Sequence, residues 1–208
     1  MEQHFGQEVA ARDLARYRTK GPDSLSGLLL AALTARVRRG DSVLDVGAGV
    51  GILDFELLAT GVTACTLVDA SVAYIEAARD EAERQRVTDR LNFVIGDFTS
   101  IARDLPEADV VAMHRAVCCY PDYVGLLVAA ADHSRRLFTF SYPRDRWYVR
   151  LGLAIENLLR RLRGDRFRTF VHEPGAMGAV VKQAGFERID RRMTFAWCID
   201  VFARSTAP

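Results

Sequence analysis

The segment Val43-Leu44-Asp45-Val46-Gly47-Ala48-Gly49-Val50-Gly51 restricts the fold of this chain more than any other. An apolar run of strand character leads into three glycines at alternate positions, and a helical pattern resumes near Leu53. Glycine admits positive φ and, lacking a Cβ, lets the backbone come into contact with a ligand. A strand, a glycine turn and a helix in that order open an α/β sheet whose ligands lie beyond the carboxyl ends of the strands, where strand order reverses.

The rest of the chain repeats this alternation. Ser42 to Val46, Ala64 to Val68, Leu91 to Ile95, Asp109 to Met113 and Arg136 to Ser141 read as short buried strands, and Ser71 to Arg86 reads as a helix between two of them. Short apolar runs joined by helical stretches predict a parallel sheet covered on both faces, a three-layer α/β/α sandwich. Ahead of it, Ala10, Leu14 and Tyr17 fall at helical spacing over Gly6 to Lys20. Asp23 or Ser24 then caps a helix carrying Leu25, Leu28, Leu29, Ala32, Leu33 and Val37. At the other end, Pro174 to Gly185 is a helix, and Phe186 to Phe195 and Ala196 to Arg204 are two strands with no room for a crossover. They pair antiparallel. The sheet is therefore mostly parallel, seven-stranded, and ends in an antiparallel hairpin.

At 208 residues, one domain is expected, divided into an N-terminal helical cap (1–40), a cofactor-binding core (41–145), a helical lid insertion (146–172) and a final helix with hairpin (173–208). A net charge of +1 gives no bulk field for nucleic acid or an anionic membrane. Cys65, Cys118, Cys119 and Cys198 contain no CxxC pair, so neither a metal site nor a disulfide framework is expected. With no leader-like opening and no apolar run of membrane-spanning length, the expected location is cytoplasmic.

Three site features occur in order. The glycines lack the third small residue of a dinucleotide fingerprint, Ile52 standing in its place, and no GK[ST] follows for a P-loop. Asp69 lies 18 residues past Gly51, just after a strand, where a carboxylate either caps the next helix or accepts hydrogen bonds from two ribose hydroxyls. Gly96-Asp97-Phe98 ends the third strand. Together these resemble the Rossmann-like (class I) S-adenosylmethionine-dependent methyltransferases, and the overall run is similar to small bacterial members of that family. The resemblance implies S-adenosylmethionine as cofactor, with S-adenosylhomocysteine as product. By it, Gly47, Gly49 and Gly51 approach the methionine part and the ribose, Asp45 orients the loop, Asp69 and Ala70 hold the sugar, and Asp97 and Phe98 bracket the adenine.

The fourth strand ends in Met113-His114-Arg115-Ala116-Val117-Cys118-Cys119-Tyr120-Pro121-Asp122. In similar methyltransferases this stretch faces the acceptor. It lacks the Asn/Asp-Pro-Pro-aromatic signature of amino methyltransferases. The CCYPD run is locally similar to magnesium-protoporphyrin O-methyltransferases. His114 is the candidate base, since neutral imidazole takes a proton near pH 7; the alternative is that it shapes the pocket or hydrogen-bonds the cofactor. Tyr120 is the second catalytic candidate, and Tyr17, Tyr142, Trp147 and His172 are candidate substrate contacts.

Between Arg144 and Arg168 lie eight arginines against three acids, around a helix with Tyr148, Leu151, Ile155, Leu158 and Leu162 on one face. Three readings stand: a lid roofing the acceptor pocket, a peripheral membrane-surface helix, or a nucleic-acid groove, the last disfavoured by the neutral net charge. The expected activity is methylation, on oxygen, of a small-molecule acceptor by a monomer or homodimer with no nucleic-acid partner. A porphyrin-type acceptor, or a cofactor-binding partner module without transferase activity, is the alternative.

Overall fold

The computed structural model describes residues 6–165 and 167–205; the first five residues of the expected cap, and Arg166 of the arginine-rich stretch, lie outside the described residues. In chain order the elements are α1 (Gln7–Lys20), α2 (Ser24–Thr34), β1 (Ser42–Val46), α3 (Ile52–Ala59), β2 (Ala64–Asp69), α4 (Val72–Gln85), β3 (Leu91–Ile95), α5 (Phe98–Ile101), β4 (Ala108–Met113), α6 (Tyr123–Asp132), β5 (Ser134–Pro143), α7 (Trp147–Leu162), α8 (Pro174–Gln183), β6 (Phe186–Met193) and β7 (Trp197–Arg204).

The sheet order is β3-β2-β1-β4-β5-β7-β6. Strands β1 to β5 run parallel, and β7 lies antiparallel between β5 and β6. Strand order reverses between β1 and β4, so the crevice expected for a ligand opens above their carboxyl ends.

Alternation along the strands builds two cores. Val43 of β1 and Val110 and Ala112 of β4 point to one face, where Leu14, Leu29, Leu33, Phe55 and Ile75 cover them. Leu44 and Val46 of β1 and Val111 and Met113 of β4 point to the other, beneath Phe98, Leu126, Leu127 and Met177. Each parallel strand is thus apolar on both sides, which explains its unbroken hydrophobic run.

Two boundaries differ from the sequence expectation. β5 runs from Ser134 to Pro143 rather than Arg136 to Ser141, because β7 pairs with it as far as Pro143 and adds ladder bonds that its own sequence does not announce. Helix α6 fills the gap after the CCYPD run. Asp122 caps it, its side chain accepting from the Gly125 amide at 3.1 Å, so the Pro-Asp ending starts a helix.

Tyr142 belongs to the architecture. Its ring is buried in the second core, and its hydroxyl donates to Asp200 Oδ2 at 2.9 Å. Arg191 donates to both Asp200 oxygens, at 2.6 and 2.7 Å, and to the Tyr142 hydroxyl at 3.0 Å. This network clasps β5, β7 and β6 at the antiparallel end. Asp200→Ala removes the acceptor for both partners and is expected to destabilise the fold by about 1.5–3 kcal/mol, the scale for hydrogen bonds to a charged group, since Arg191 is partly exposed. Urea unfolding measures this, and a loss below about 1 kcal/mol contradicts the role.

Candidate active site

A cavity of about 280 Å³ opens at the β1/β4 reversal, close to the lower end of the roughly 300–1,000 Å³ usual for small-molecule sites. Its floor is the turn between β1 and α3. Gly47 has φ +77°, and a Cβ there would stand 2.8 Å from the Ala116 Cβ. Gly51, at φ +78°, starts α3 with Leu67 2.9 Å from where its Cβ would be. Only glycine permits both the turn and this approach. At Gly49 a Cβ would meet nothing within 4 Å, so bare backbone faces open space.

Asp69, at the end of β2, ties this turn to its neighbour. Its Oδ2 accepts from the Gly49 amide at 2.9 Å and its Oδ1 from the Ser71 amide at 2.8 Å. Burial raises its pKa against the lowering effect of the Ser71, Gly49 and Ala70 amides.

Beneath the turn lies an unusual pair. The Asp45 and Asp54 carboxyls are fully buried, and among the described residues no N–H or hydroxyl reaches either of them. The Cys65 thiol beside them points to the Asp54 carbonyl. The two carboxyls act on each other electrostatically. Burial first, then the Asp45 charge, raises the Asp54 pKa well above the usual carboxyl range, which favours its protonated form. Asp45, which lines the cavity, is raised by burial and by Asp69, and lowered by Asp54.

A carboxyl whose folded pKa lies above its unfolded value stabilises the fold most at low pH, and that stability is lost as pH rises through the folded value. Asp54→Asn keeps a donor toward Asp45 without the titration. Its stability relative to the wild type is therefore expected to improve steadily from pH 5 to pH 8 in thermal melts. His114 and His172, whose lowered values act in the opposite sense below about pH 6.5, are common to both proteins and cancel. A pH-independent difference contradicts the raised Asp54 pKa.

The far wall carries His114. Ser26 Oγ lies 3.1 Å from its Nε2, and Ser141 Oγ lies 3.1 Å from its Nδ1. Desolvation, reinforced by the Arg115 charge, pushes its pKa down to about 3, so the ring stays neutral at physiological pH. Its exposed edge faces the cavity. Arg115 adopts φ +57°, a strained conformation for a side-chain-bearing residue costing about 1–2 kcal/mol. Its amide donates to Ser141 Oγ at 2.8 Å and its guanidinium reaches Asp23 at 2.9 Å. Burial tends to raise the Asp23 pKa, but the Ser26 amide and Arg115 outweigh it and hold the carboxyl at about 2.

Residues 43–136, which include the glycine turn, Asp69 and the His114 wall, match a family model described as a methyltransferase domain. These residues, just under half of the chain, are thus similar to a methyltransferase domain. The chain is 41% identical over 71 residues to the erythromycin 3''-O-methyltransferase of Saccharopolyspora erythraea, covering 34% of this chain and 23% of that protein. It is 35% identical over 94 residues to the ribosomal protein L11 methyltransferase of Escherichia coli, covering 44% of this chain and 30% of that one. The matched stretches thus span between 23% and 30% of the length of these curated relatives. Among solved structures, magnesium protoporphyrin IX methyltransferase from Synechocystis with bound SAH superposes at TM-score 0.73 and 20% identity, over 94% of both chains. An O-methyltransferase family protein from Burkholderia thailandensis gives 0.70 and 19%, over 98% of this chain and 64% of that one. At such identities the likeness establishes the fold: this is the Rossmann-like methyltransferase fold, with its hairpin.

The cavity gathers Asp45, Gly47, Gly49, Asp69, Ala70, Phe98, His114 and Tyr120. Gly51 sits behind, shaping the turn. Asp97 also stands back: it caps α5 through the Thr99 amide and accepts from the Tyr120 hydroxyl at 3.0 Å. Burial, then Asp97, raises the Tyr120 pKa, which keeps its phenol protonated.

The four expected substrate contacts lie elsewhere. Tyr17 stacks on Phe55 and donates to Glu56 at 3.0 Å. Tyr142 is the strand clasp described above. Trp147 is 76% exposed at the start of α7. His172 donates from Nε2 to the Val117 carbonyl at 3.2 Å and packs on Tyr123 and Phe170. The expected lid likewise contributes no residue to this cavity, since the apolar stripe of α7 faces solvent.

The cover comes instead from the N-terminal helices, through Asp13, Arg16, Asp23 and Ser26. The signal for α1 was present in the sequence. Ala10, Leu14 and Tyr17 claim the core face, which turns Asp13 and Arg16 toward the neighbouring side.

Proposed function

We infer that this chain uses S-adenosylmethionine to O-methylate a small-molecule acceptor. The observation carrying this reading is the continuity of one cavity, from a bare glycine cradle flanked by Asp45 and Asp69 to a neutral Ser26–His114–Ser141 wall beneath the N-terminal helices. The residues fit such a cofactor: Asp45 is a buried carboxyl that no donor reaches among the described residues, Asp69 offers a carboxylate for sugar hydroxyls, and Phe98 offers an apolar wall for a base. The names of the erythromycin 3''-O-methyltransferase and the Burkholderia protein support oxygen as the acceptor atom.

When bound, the cofactor supplies an electrophilic methyl group on a sulfonium. The protein's part is then to exclude water and hold the acceptor in line, which by itself supplies much of the rate. His114 orients the acceptor through its ring and Ser26; with a pKa near 3 it is too weak a base to take a proton effectively at neutral pH. The rate at saturating acceptor should therefore show no step near pH 6.5, and His114→Asn should lower kcat by less than about tenfold. A step near pH 6.5 that this variant abolishes makes His114 the base after all.

Incubation with a panel of hydroxylated and carboxylated acceptors, read by mass spectrometry, tests the activity. A cofactor-dependent gain of one methyl is expected on at least one of them. Binding of the cofactor without transfer to any acceptor supports a partner module instead. Magnesium protoporphyrin belongs in the panel, because the likeness to the enzyme of that name covers 94% of both chains.

A further inference from the structure

Helix α7 is mounted inside out. Trp147, Leu151, Ile155, Leu158 and Leu162 recur at intervals of three and four residues, so they share one face, and every one is more than half exposed. Leu159 and, beside the first turn, Met193 and Phe195 extend this surface. Phe195 is held there by Tyr148, whose ring stacks on it at 4.6 Å and whose hydroxyl donates to its carbonyl at 3.0 Å.

The opposite face, which meets the rest of the protein, is mixed, with Val149 and Leu153 beside Asn157 and Arg160. Val149 is buried, but Asn157 exchanges hydrogen bonds with the Thr169 backbone at 2.8 and 3.0 Å. Arg160 donates to Thr169 Oγ1 at 2.8 Å and lies over the Phe167 ring. A helix of a soluble domain places its apolar stripe against the core. Here polar contacts fasten the helix and the stripe is presented outward.

We propose that this face is a docking surface for an anionic lipid membrane, on which α7 lies flat with Trp147, Leu151, Ile155, Leu158, Leu162 and Phe195 inserted. Charge complementarity selects this occupant. Arg146, Arg150, Arg161 and Arg163 are exposed along or beside the helix. Of the three acids of the region, Asp145 and Glu156 are each engaged by an arginine, Arg150 and Arg160 respectively, and Asp165 accepts from the Phe167 amide at 2.8 Å. A strong apolar stripe with flanking arginines and an aromatic end is the pattern of helices that lie in the headgroup region. No described helix is long and apolar enough to cross a membrane, so the contact is with the surface. The inference does not depend on the methyltransferase reading.

The test is co-sedimentation of the full chain with phosphatidylcholine vesicles containing phosphatidylglycerol, against vesicles of phosphatidylcholine alone. Binding to the anionic vesicles, weakened by salt, is expected, together with a blue shift of tryptophan emission that Trp147→Phe abolishes. Leu158→Glu with Leu162→Glu alters only exposed positions and should lower partitioning at least about tenfold without changing the melting temperature. Failure of the wild type to sediment with either vesicle overturns the proposal, as does unchanged partitioning of the double variant. A dimer in sedimentation equilibrium that the double variant dissolves gives the face to a second copy and also overturns it.

Discussion

Asp69→Ala is expected to weaken S-adenosylmethionine binding about 30–150-fold, or about 2–3 kcal/mol, the scale of hydrogen bonds to a charged group. Two losses combine. The ribose hydroxyls lose their acceptor, and the Gly49 amide, which donates to Asp69 at 2.9 Å, is released from the position that shapes the turn. Asp69→Asn separates them, because an amide oxygen still accepts from one amide but carries no charge; it should fall between the wild type and Asp69→Ala. The raised pKa adds a sign: the carboxylate is the binding form, so affinity should fall on acidification, and in Asp69→Asn this part of the dependence should vanish. Equal affinity in all three proteins removes Asp69 from the site.

Gly47→Ala tests the floor. A methyl group at φ +77° costs about 1–2 kcal/mol of backbone strain. Its contact with Ala116 at 2.8 Å adds an overpacking cost of about 1–3 kcal/mol. At about 2–4 °C per kcal/mol for a chain of this size, the melting temperature should drop by about 4–20 °C. Cofactor affinity should fall as well, since Ala116 forms part of the cavity wall. Adding Ala116→Gly removes the clash and leaves the strain, so the double variant should recover at least about 1 kcal/mol. A melting temperature within about 1 °C of wild type for Gly47→Ala shows that the turn yields freely and the cradle is not rigid.

Much of this was legible in the sequence because it is local. The glycines, Asp69 and the seven strands are set by φ requirements and by short apolar runs, both properties of short segments. What was not legible depends on docking. The apolar stripe of α7 could be read from periodicity, but periodicity names a face without saying what covers it; the structure directs the face of Asn157 and Arg160 inward. Tyr142 lies next to the site in sequence, yet strand alternation and the partner Asp200, 58 residues away, draw it into the clasp. The N-terminal cover was expected at Tyr17, and the structure supplies it from Asp13 and Arg16, a rotation of about one residue around α1. Arg115 was passed over because its left-handed backbone, which aims the guanidinium at Asp23, has no compositional signal.

Isothermal titration with S-adenosylmethionine, with NAD as the control ligand, tests the central claim most directly. Saturable one-to-one binding of the sulfonium ligand, weakened in Gly47→Ala and Asp69→Ala, with no heat from the dinucleotide, is the predicted result. No heat from S-adenosylmethionine, or saturation by NAD, contradicts it.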